Sequence, residues 1–146
     1  PLISNGTDGA WDWGCIYAAA YPIIRDDGIL LYYGGSDNVH TNWRKSGLGL
    51  ARMRPDGFAG YRAKNGKVTT TPLTCPGGRL TLNLDAPDGW AEVRILDVTG
   101  KFLASSDRIG DGLAARVPLP DCTRQTVRLH IHLHNATLYS FTWGQP

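Results

Sequence analysis

Hydrophobic and polar positions alternate with a period of two along much of this chain. The alternation is clear at Leu80, Leu82 and Leu84, and again at Val93 and Ile95. Val127, Leu129, Ile131 and Leu133 form a third series, with His130 and His132 between them. This period describes strands that bury one face. The spacing predicts strands over Lys67–Cys75, Arg79–Asp85, Trp90–Asp97, Lys101–Ser105, Ala114–Leu119, Thr126–His134 and Leu138–Trp143. Turn residues separate them: Pro76-Gly77-Gly78, Pro87-Asp88-Gly89, Thr99-Gly100 and Gly110-Asp111-Gly112. Short strands punctuated in this way predict a β-sandwich, jelly-roll-like in kind. No amphipathic helix of useful length is visible.

The first half carries a second pattern. Trp11 to Gly35 reads as a loop, a strand at Tyr21–Arg25, a turn at Asp26-Asp27-Gly28, and an apolar strand from Ile29 to Tyr33. Asp-Gly between such runs is a hairpin signal. Ser36 to Gly47 is polar and loop-like. A third strand is expected over Leu48–Arg54, a turn at Arg54-Pro55-Asp56-Gly57, and a fourth strand over Phe58–Ala63. Four antiparallel strands joined by short turns make a meander of about 50 residues, the size of one propeller blade. The expected fold is therefore all-β: a four-stranded blade-like antiparallel meander over residues 1–63, followed by a β-sandwich over 64–146.

Composition narrows the function classes. A hydrophobic content of 42% with 19% charged residues describes a globular chain. The net charge of +2 is weak and its basic residues are scattered, which argues against a nucleic-acid partner. No apolar run approaches the roughly 20 residues of a membrane-spanning helix. The chain begins at Pro1 without Met, so it reads as a processed chain or a fragment. Three cysteines, Cys15, Cys75 and Cys122, fit no zinc spacing. Asn5-Gly6-Thr7 and Asn135-Ala136-Thr137 are glycosylation sequons. Cysteines and sequons together point to a secreted, extracellular protein. Cys75 and Cys122 are the expected disulfide, because both lie in the second half. Cys15 is then free or bonded to another chain.

Several stretches carry a resemblance. They are Trp11-Asp12-Trp13-Gly14, Gly28 to Gly35, Gly47 to Phe58, Leu73 to Leu84, and the closing Leu138 to Phe141. Together they resemble the C-terminal part of secreted five-bladed β-propeller proteins related to glycoside hydrolase families 32 and 43. The resemblance covers nearly the whole chain, most specifically at Arg52–Phe58, Gly77–Asn83 and Leu138–Phe141. It implies a last propeller blade up to about residue 63, then the sandwich. It also implies that the catalytic carboxylates belong to earlier blades. Their Asn-Asp-Pro and Glu-Cys signatures are absent here. Arg25-Asp26 is read as the start of the hairpin turn and not as an Arg-Asp-Pro motif. Glycoside hydrolysis needs two carboxyl groups flanking the bond, and the chain's only Glu, Glu92, falls within a sandwich strand. Catalysis by this chain alone is not expected. A lone blade has apolar faces without neighbours, which predicts a homo-oligomer or a companion chain.

Two aromatic and polar sets suit a sugar, whose apolar ring face stacks on an indole while a carboxylate accepts hydroxyl hydrogen bonds. The first is Trp11, Asp12, Trp13 and Tyr17. The second is the loop with Asp37, Asn38, His40, Asn42, Trp43 and Arg44, expected to face the same way. The plain alternatives are a core tryptophan, a turn-capping Asp12 and a solvated loop. His130, His132 and His134 share one strand face and are candidate zinc or copper ligands. Three histidines spread over about 14 Å of strand do not converge on one ion, and they are read as the polar reverse of a core strand. No metal or other cofactor is expected. No nucleophile elbow, phosphate loop or dinucleotide fingerprint is present. The expected function is a secreted, lectin-like, non-catalytic glycan-binding protein. Its alternatives are the C-terminal fragment of a glycoside hydrolase whose acids lie elsewhere, and a structural or assembly protein whose aromatics are interface core.

Overall fold

The computed structural model describes residues 2–144. The fold is all-β, with eleven strands among the described residues. No helix there is long and apolar enough to cross a membrane. The chain forms two compact units, Pro1–Phe58 and Ala59–Pro146.

In the first unit, β1 (Cys15–Ala18) and β2 (Ile23–Arg25) line one edge of the long β3 (Gly28–Ser36), and β4 (Ser46–Met53) lines the other. The sheet is antiparallel throughout and centred on β3. The expected hairpin forms, with Arg25 opposite Gly28 across Asp26-Asp27. Arg52 Nη2 reaches Asp27 Oδ2 at 2.6 Å and ties that turn to β4. Both side chains are exposed, so the pair contributes little to stability. Cys15–Ala18, expected as loop, is a strand instead. It satisfies its backbone groups on the far half of β3, from Tyr33 to Ser36.

The second unit is built on β11 (Thr126–Gly144), which runs the length of the sheet. On one edge of β11 lies β5 (Tyr61–Thr69), with β6 (Leu73–Thr74) pairing near its start. On the other edge β8 (Trp90–Leu96) pairs with residues 128–134 and β7 (Arg79–Asp85) with residues 137–144. Then β9 (Phe102–Ser105) extends β8 and β10 (Gly112–Arg116) extends β7. The result is a curled, sandwich-like sheet in which one strand serves both layers, as corner strands do.

The strands expected over Thr126–His134 and Leu138–Trp143 are thus one bent strand. The bend falls at Asn135, whose φ of 44° is left-handed, a conformation Asn tolerates better than most residues. Inward residues run Val127, Leu129, Ile131 and Leu133 before the bend, then Ala136 and Leu138 after it. The parity changes at the bend, so the chain turns without losing its core face. Gly89 closes the β7–β8 turn against this bend: a Cβ there would stand 2.1 Å from the His134 carbonyl oxygen.

The core of this unit joins Leu80, Leu82, Leu84, Val93 and Ile95 to the inward residues of β11. Ala63 and Val68 of β5 pack against it. This corrects the strand expected at Phe58–Ala63. That stretch leads into β5, which pairs with β11 because its apolar positions fit this core. The compact units accordingly meet at Phe58/Ala59, slightly before the expected boundary at residue 63.

Candidate functional site

The register of the first sheet sorts the sugar-compatible residues by face. Tyr33, Gly35, Gly47 and Gly49 share one face, because Tyr33 opposes Gly49 and Gly35 opposes Gly47. The Trp11 ring lies on this face, stacked on Tyr33 with centroids 5.8 Å apart and planes 25° apart. It covers the two glycines of the floor. A Cβ on Gly35 would meet Trp11 Cζ3 at 2.7 Å, and one on Gly47 would meet it at 3.1 Å. Tyr33 donates its hydroxyl to Asp12 Oδ2 at 3.0 Å. That hydrogen bond, aided by burial, holds the Tyr33 phenol above its ordinary pKa, so it stays a donor. Trp11 remains 44% exposed. The group is an indole platform with a carboxylate at its side.

Tyr17 stands on the other face, since it opposes Gly34. Its hydroxyl hydrogen-bonds His40 Nδ1 at 2.5 Å and links β1 to the Asp37–Lys45 loop. Burial, followed by the Cys15 thiol, pushes the Tyr17 phenol upward. Tyr17 is therefore not part of the Trp11 platform, contrary to the grouping expected from sequence. The reason is the pleat: a strand sends successive side chains to opposite faces.

The second set is a self-supporting loop. Asp37 Oδ1 accepts the Lys45 N–H at 2.8 Å, and Asn38 Oδ1 accepts the Val39 N–H at 2.8 Å. Asn38 Nδ2 donates to the Trp43 carbonyl, and Arg44 donates to the His40 carbonyl. Asp37 is a loop-closing residue here. Trp43 is held out at 92% exposure. Trp13 is half-buried, and its carbonyl accepts Asn5 Nδ2 at 2.7 Å.

In the second unit, the three histidines occupy the outward face of β11. His130 bonds Thr69 Oγ1 at 2.8 Å and His132 bonds Asn65 Oδ1 at 2.6 Å. His134 stacks on Trp90 with centroids 5.4 Å apart. Each ring has its own partner, and no group of three or more His, Cys, Asp or Glu able to hold a metal occurs among the described residues. Cys75 and Cys122 are adjacent, sulfurs 2.6 Å apart and both buried. Burial, then Cys75, pushes the Cys122 thiol to about 12. Cys15 belongs to the first unit. Asn5 and Asn135 are both exposed.

Two clefts of about 610 and 600 Å³ lie in the second unit. The first is lined by the cysteine pair, Arg79, Arg116 and Trp143. The second is lined in part by Lys64, Asp85 and Asn135. Neither contains a residue of the aromatic sets.

Sequence reasoning missed Tyr33 and the floor of Gly35 and Gly47. The signal was the alternation of Tyr33 with Gly35 on a predicted strand, which leaves a hole beside an aromatic. It also missed Arg108, whose guanidinium lies 4.3 Å from the Trp90 ring centre. Arg108 adjoins an isolated bridge between Ala91 and Ile109 that no local pattern announces. Compared with models of known families, with curated proteins and with solved structures, the chain matches none.

Proposed function

We propose that this chain is a secreted, lectin-like protein that binds carbohydrate without chemically altering it. The observation that carries the reading is the Trp11 platform: a half-exposed indole, backed by Tyr33, beside the Asp12 carboxylate. An apolar sugar face stacks on such a ring while the carboxylate accepts its hydroxyls. The ring is held before any ligand arrives, which lowers the ordering cost of binding. Trp43, exposed on its braced loop, offers a separate aromatic surface for a sugar ring. The resemblance to sugar-processing propeller proteins agrees with this reading and leaves catalysis to carboxylates outside this chain. Glu92, the one glutamate, is ion-paired to Arg94 at 2.6 Å.

The test is a glycan array followed by calorimetry on the hits. Trp11→Ala should lose at least about tenfold in affinity, which is about 1.4 kcal/mol. Trp43→Ala should lower affinity with stability unchanged, because an exposed side chain has little packing to lose. A glycan that binds both variants as well as the parent overturns the platform.

A second reading, an assembly protein, is favoured by the opposite face of the same sheet. Tyr17, Ile23, Tyr32, Leu48 and Leu50 are exposed there, Leu48 to 75%. Their register places them in neighbouring rows, a contiguous apolar surface of the kind found at interfaces. A concentration-dependent oligomer that Leu48→Lys dissolves, with no glycan bound, would decide for this reading.

A further inference from the structure

The outward face of the second unit's sheet has a different chemistry from the Trp11 platform. Three registered rows cross β5, β11 and β8. Thr69, His130 and Arg94 form one row, continued by Ser105 of β9. Lys67, His132 and Glu92 form the next. Asn65, His134 and Trp90 form the third. Arg128 stands one step along β11 on the same face, its Nη1 donating to the Thr70 carbonyl. Strand spacing sets these side chains about 5 Å apart across the sheet and about 7 Å apart along it.

The charges are one-sided. Lys67, Arg94, Arg128 and Arg108 stand against Glu92, which is ion-paired to Arg94 at 2.6 Å, and Asp107, which adjoins Arg108 in the chain. Arg108 is also held in place. Ile109 beside it exchanges both backbone hydrogen bonds with Ala91, at 2.9 and 2.8 Å. The buried Ser106 hydroxyl accepts the Val93 N–H and donates to the Asp107 carbonyl. These bonds anchor the backbone on either side of Arg108, whose guanidinium lies over the Trp90 ring, with His132 edge-on and His134 stacked on the same indole.

We infer that this sheet face is a second binding surface, for the sulfate or carboxylate groups of an anionic polysaccharide, and that it tightens as His130 protonates. The charge complementarity is direct. Neutral hydrogen-bonding groups, Asn65, Thr69 and Ser105, interleave with the cations and suit sugar hydroxyls. The indole is already engaged by His134 and Arg108, so it offers no open platform for stacking nucleic-acid bases. The chain's charge of +2 is also low for a nucleic-acid partner.

Protonation couples to binding through the same geometry. Burial, then Lys67, Arg94 and His132, hold His130 below its ordinary pKa. Facing His130 are Thr69 from β5 and Arg94 from β8, with Lys67 and Glu92 in the next row. Without a ligand, cations oppose its protonation. An anionic group laid across Lys67 and Arg94 offsets that repulsion, and His130 takes up a proton. Binding and proton uptake are therefore linked.

The surface stands on different residues from the Trp11 platform, and the test separates them. Dextran sulfate, polygalacturonate, neutral dextran and a single-stranded oligonucleotide are titrated into the full chain at pH 5.5 and 7.5. Dextran sulfate or polygalacturonate should bind about tenfold tighter at pH 5.5. Neutral dextran should show no such pH-dependent gain. Lys67→Gln with Arg108→Gln, both at exposed positions, should lose about tenfold at either pH. His130→Gln should keep the binding seen at pH 7.5 and lose the gain at pH 5.5. Trp11→Ala should change none of this. Absence of binding to both anionic polysaccharides, binding indifferent to pH, or binding unchanged in the Lys67/Arg108 variant overturns the inference. Tighter binding of the oligonucleotide at matched charge overturns the choice of polysaccharide.

Discussion

Two adjacent glycines test the geometry of the Trp11 platform. At Gly35 an added Cβ would stand 2.6 Å from Asp12 Cβ, 2.7 Å from Trp11 Cζ3 and 3.0 Å from Trp11 Cη2. At Gly34, one residue earlier on β3 and on the opposite face, nothing lies within 4 Å. Neither glycine has a positive φ, so alanine suits the backbone at both. Gly35→Ala must displace the indole or the turn segment that carries Asp12, and overpacking of this kind costs about 1–3 kcal/mol. Gly34→Ala meets no obstacle and should stabilise by about 0.4–1 kcal/mol, because alanine restricts the unfolded chain. The two substitutions should therefore differ by about 1.4–4 kcal/mol. For a unit of this size, each kcal/mol moves the midpoint by about 4–8 °C. Thermal melts should be followed by near-ultraviolet circular dichroism, with the aromatic signal of Gly35→Ala altered before melting begins. Because the chain has two units, the comparison belongs to the transition that carries the first unit. If Gly35→Ala melts with Gly34→Ala and keeps the parent spectrum, Trp11 does not rest on Gly35 and the platform is wrong.

Two further expectations concern groups outside both surfaces. Asp97 accepts hydrogen bonds from the Thr99 hydroxyl and from the Thr99 and Lys101 N–H groups, and these hold its carboxyl below its ordinary pKa. A depressed folded pKa adds stability that is fully present above the unfolded value of about 3.9 and is lost as pH falls through the folded value. Asp97→Asn should remove that loss, giving a shallower fall in stability below about pH 4 than the parent shows. An unchanged acid limb would refute the role. Cys15 is half-buried, while Cys75 and Cys122 are enclosed, with the Cys122 thiol pushed up to about 12. Brief alkylation of the native chain at neutral pH should label Cys15 ahead of the other two, as read by peptide mass mapping; equal labelling of all three would contradict the enclosure.

Much of the strand content was readable because the burial of each strand is written into its own residues. Arg79–Asp85 appears with the expected bounds, and its Leu80, Leu82 and Leu84 are buried as the alternation requires. The Asp26-Asp27-Gly28 turn and the all-β class follow from equally local signals. Partner choice was not readable. Phe58–Ala63 looks like one more meander strand, yet the strand beginning at Tyr61 pairs with residues more than sixty positions later, because Ala63 and Val68 fit the core formed there. Local sequence states that a strand has an apolar face and not which strand will cover it.

The same limit separates what was visible of the two surfaces. Sequence by itself determined the aromatic and polar stock of the first unit, the same-face spacing of His130, His132 and His134, and the two cysteines that meet in the second unit. Tertiary structure alone decided that Tyr17 lies behind the sheet that carries Trp11. It also brought Tyr33 to Asp12, and delivered Lys67, Arg94 and Arg108 to the histidines from three separate segments. Residue type and spacing along one strand are local properties of the backbone. Which residues meet depends on register, on the bend at Asn135 and on loop closure, and those are fixed by core packing summed over the whole unit.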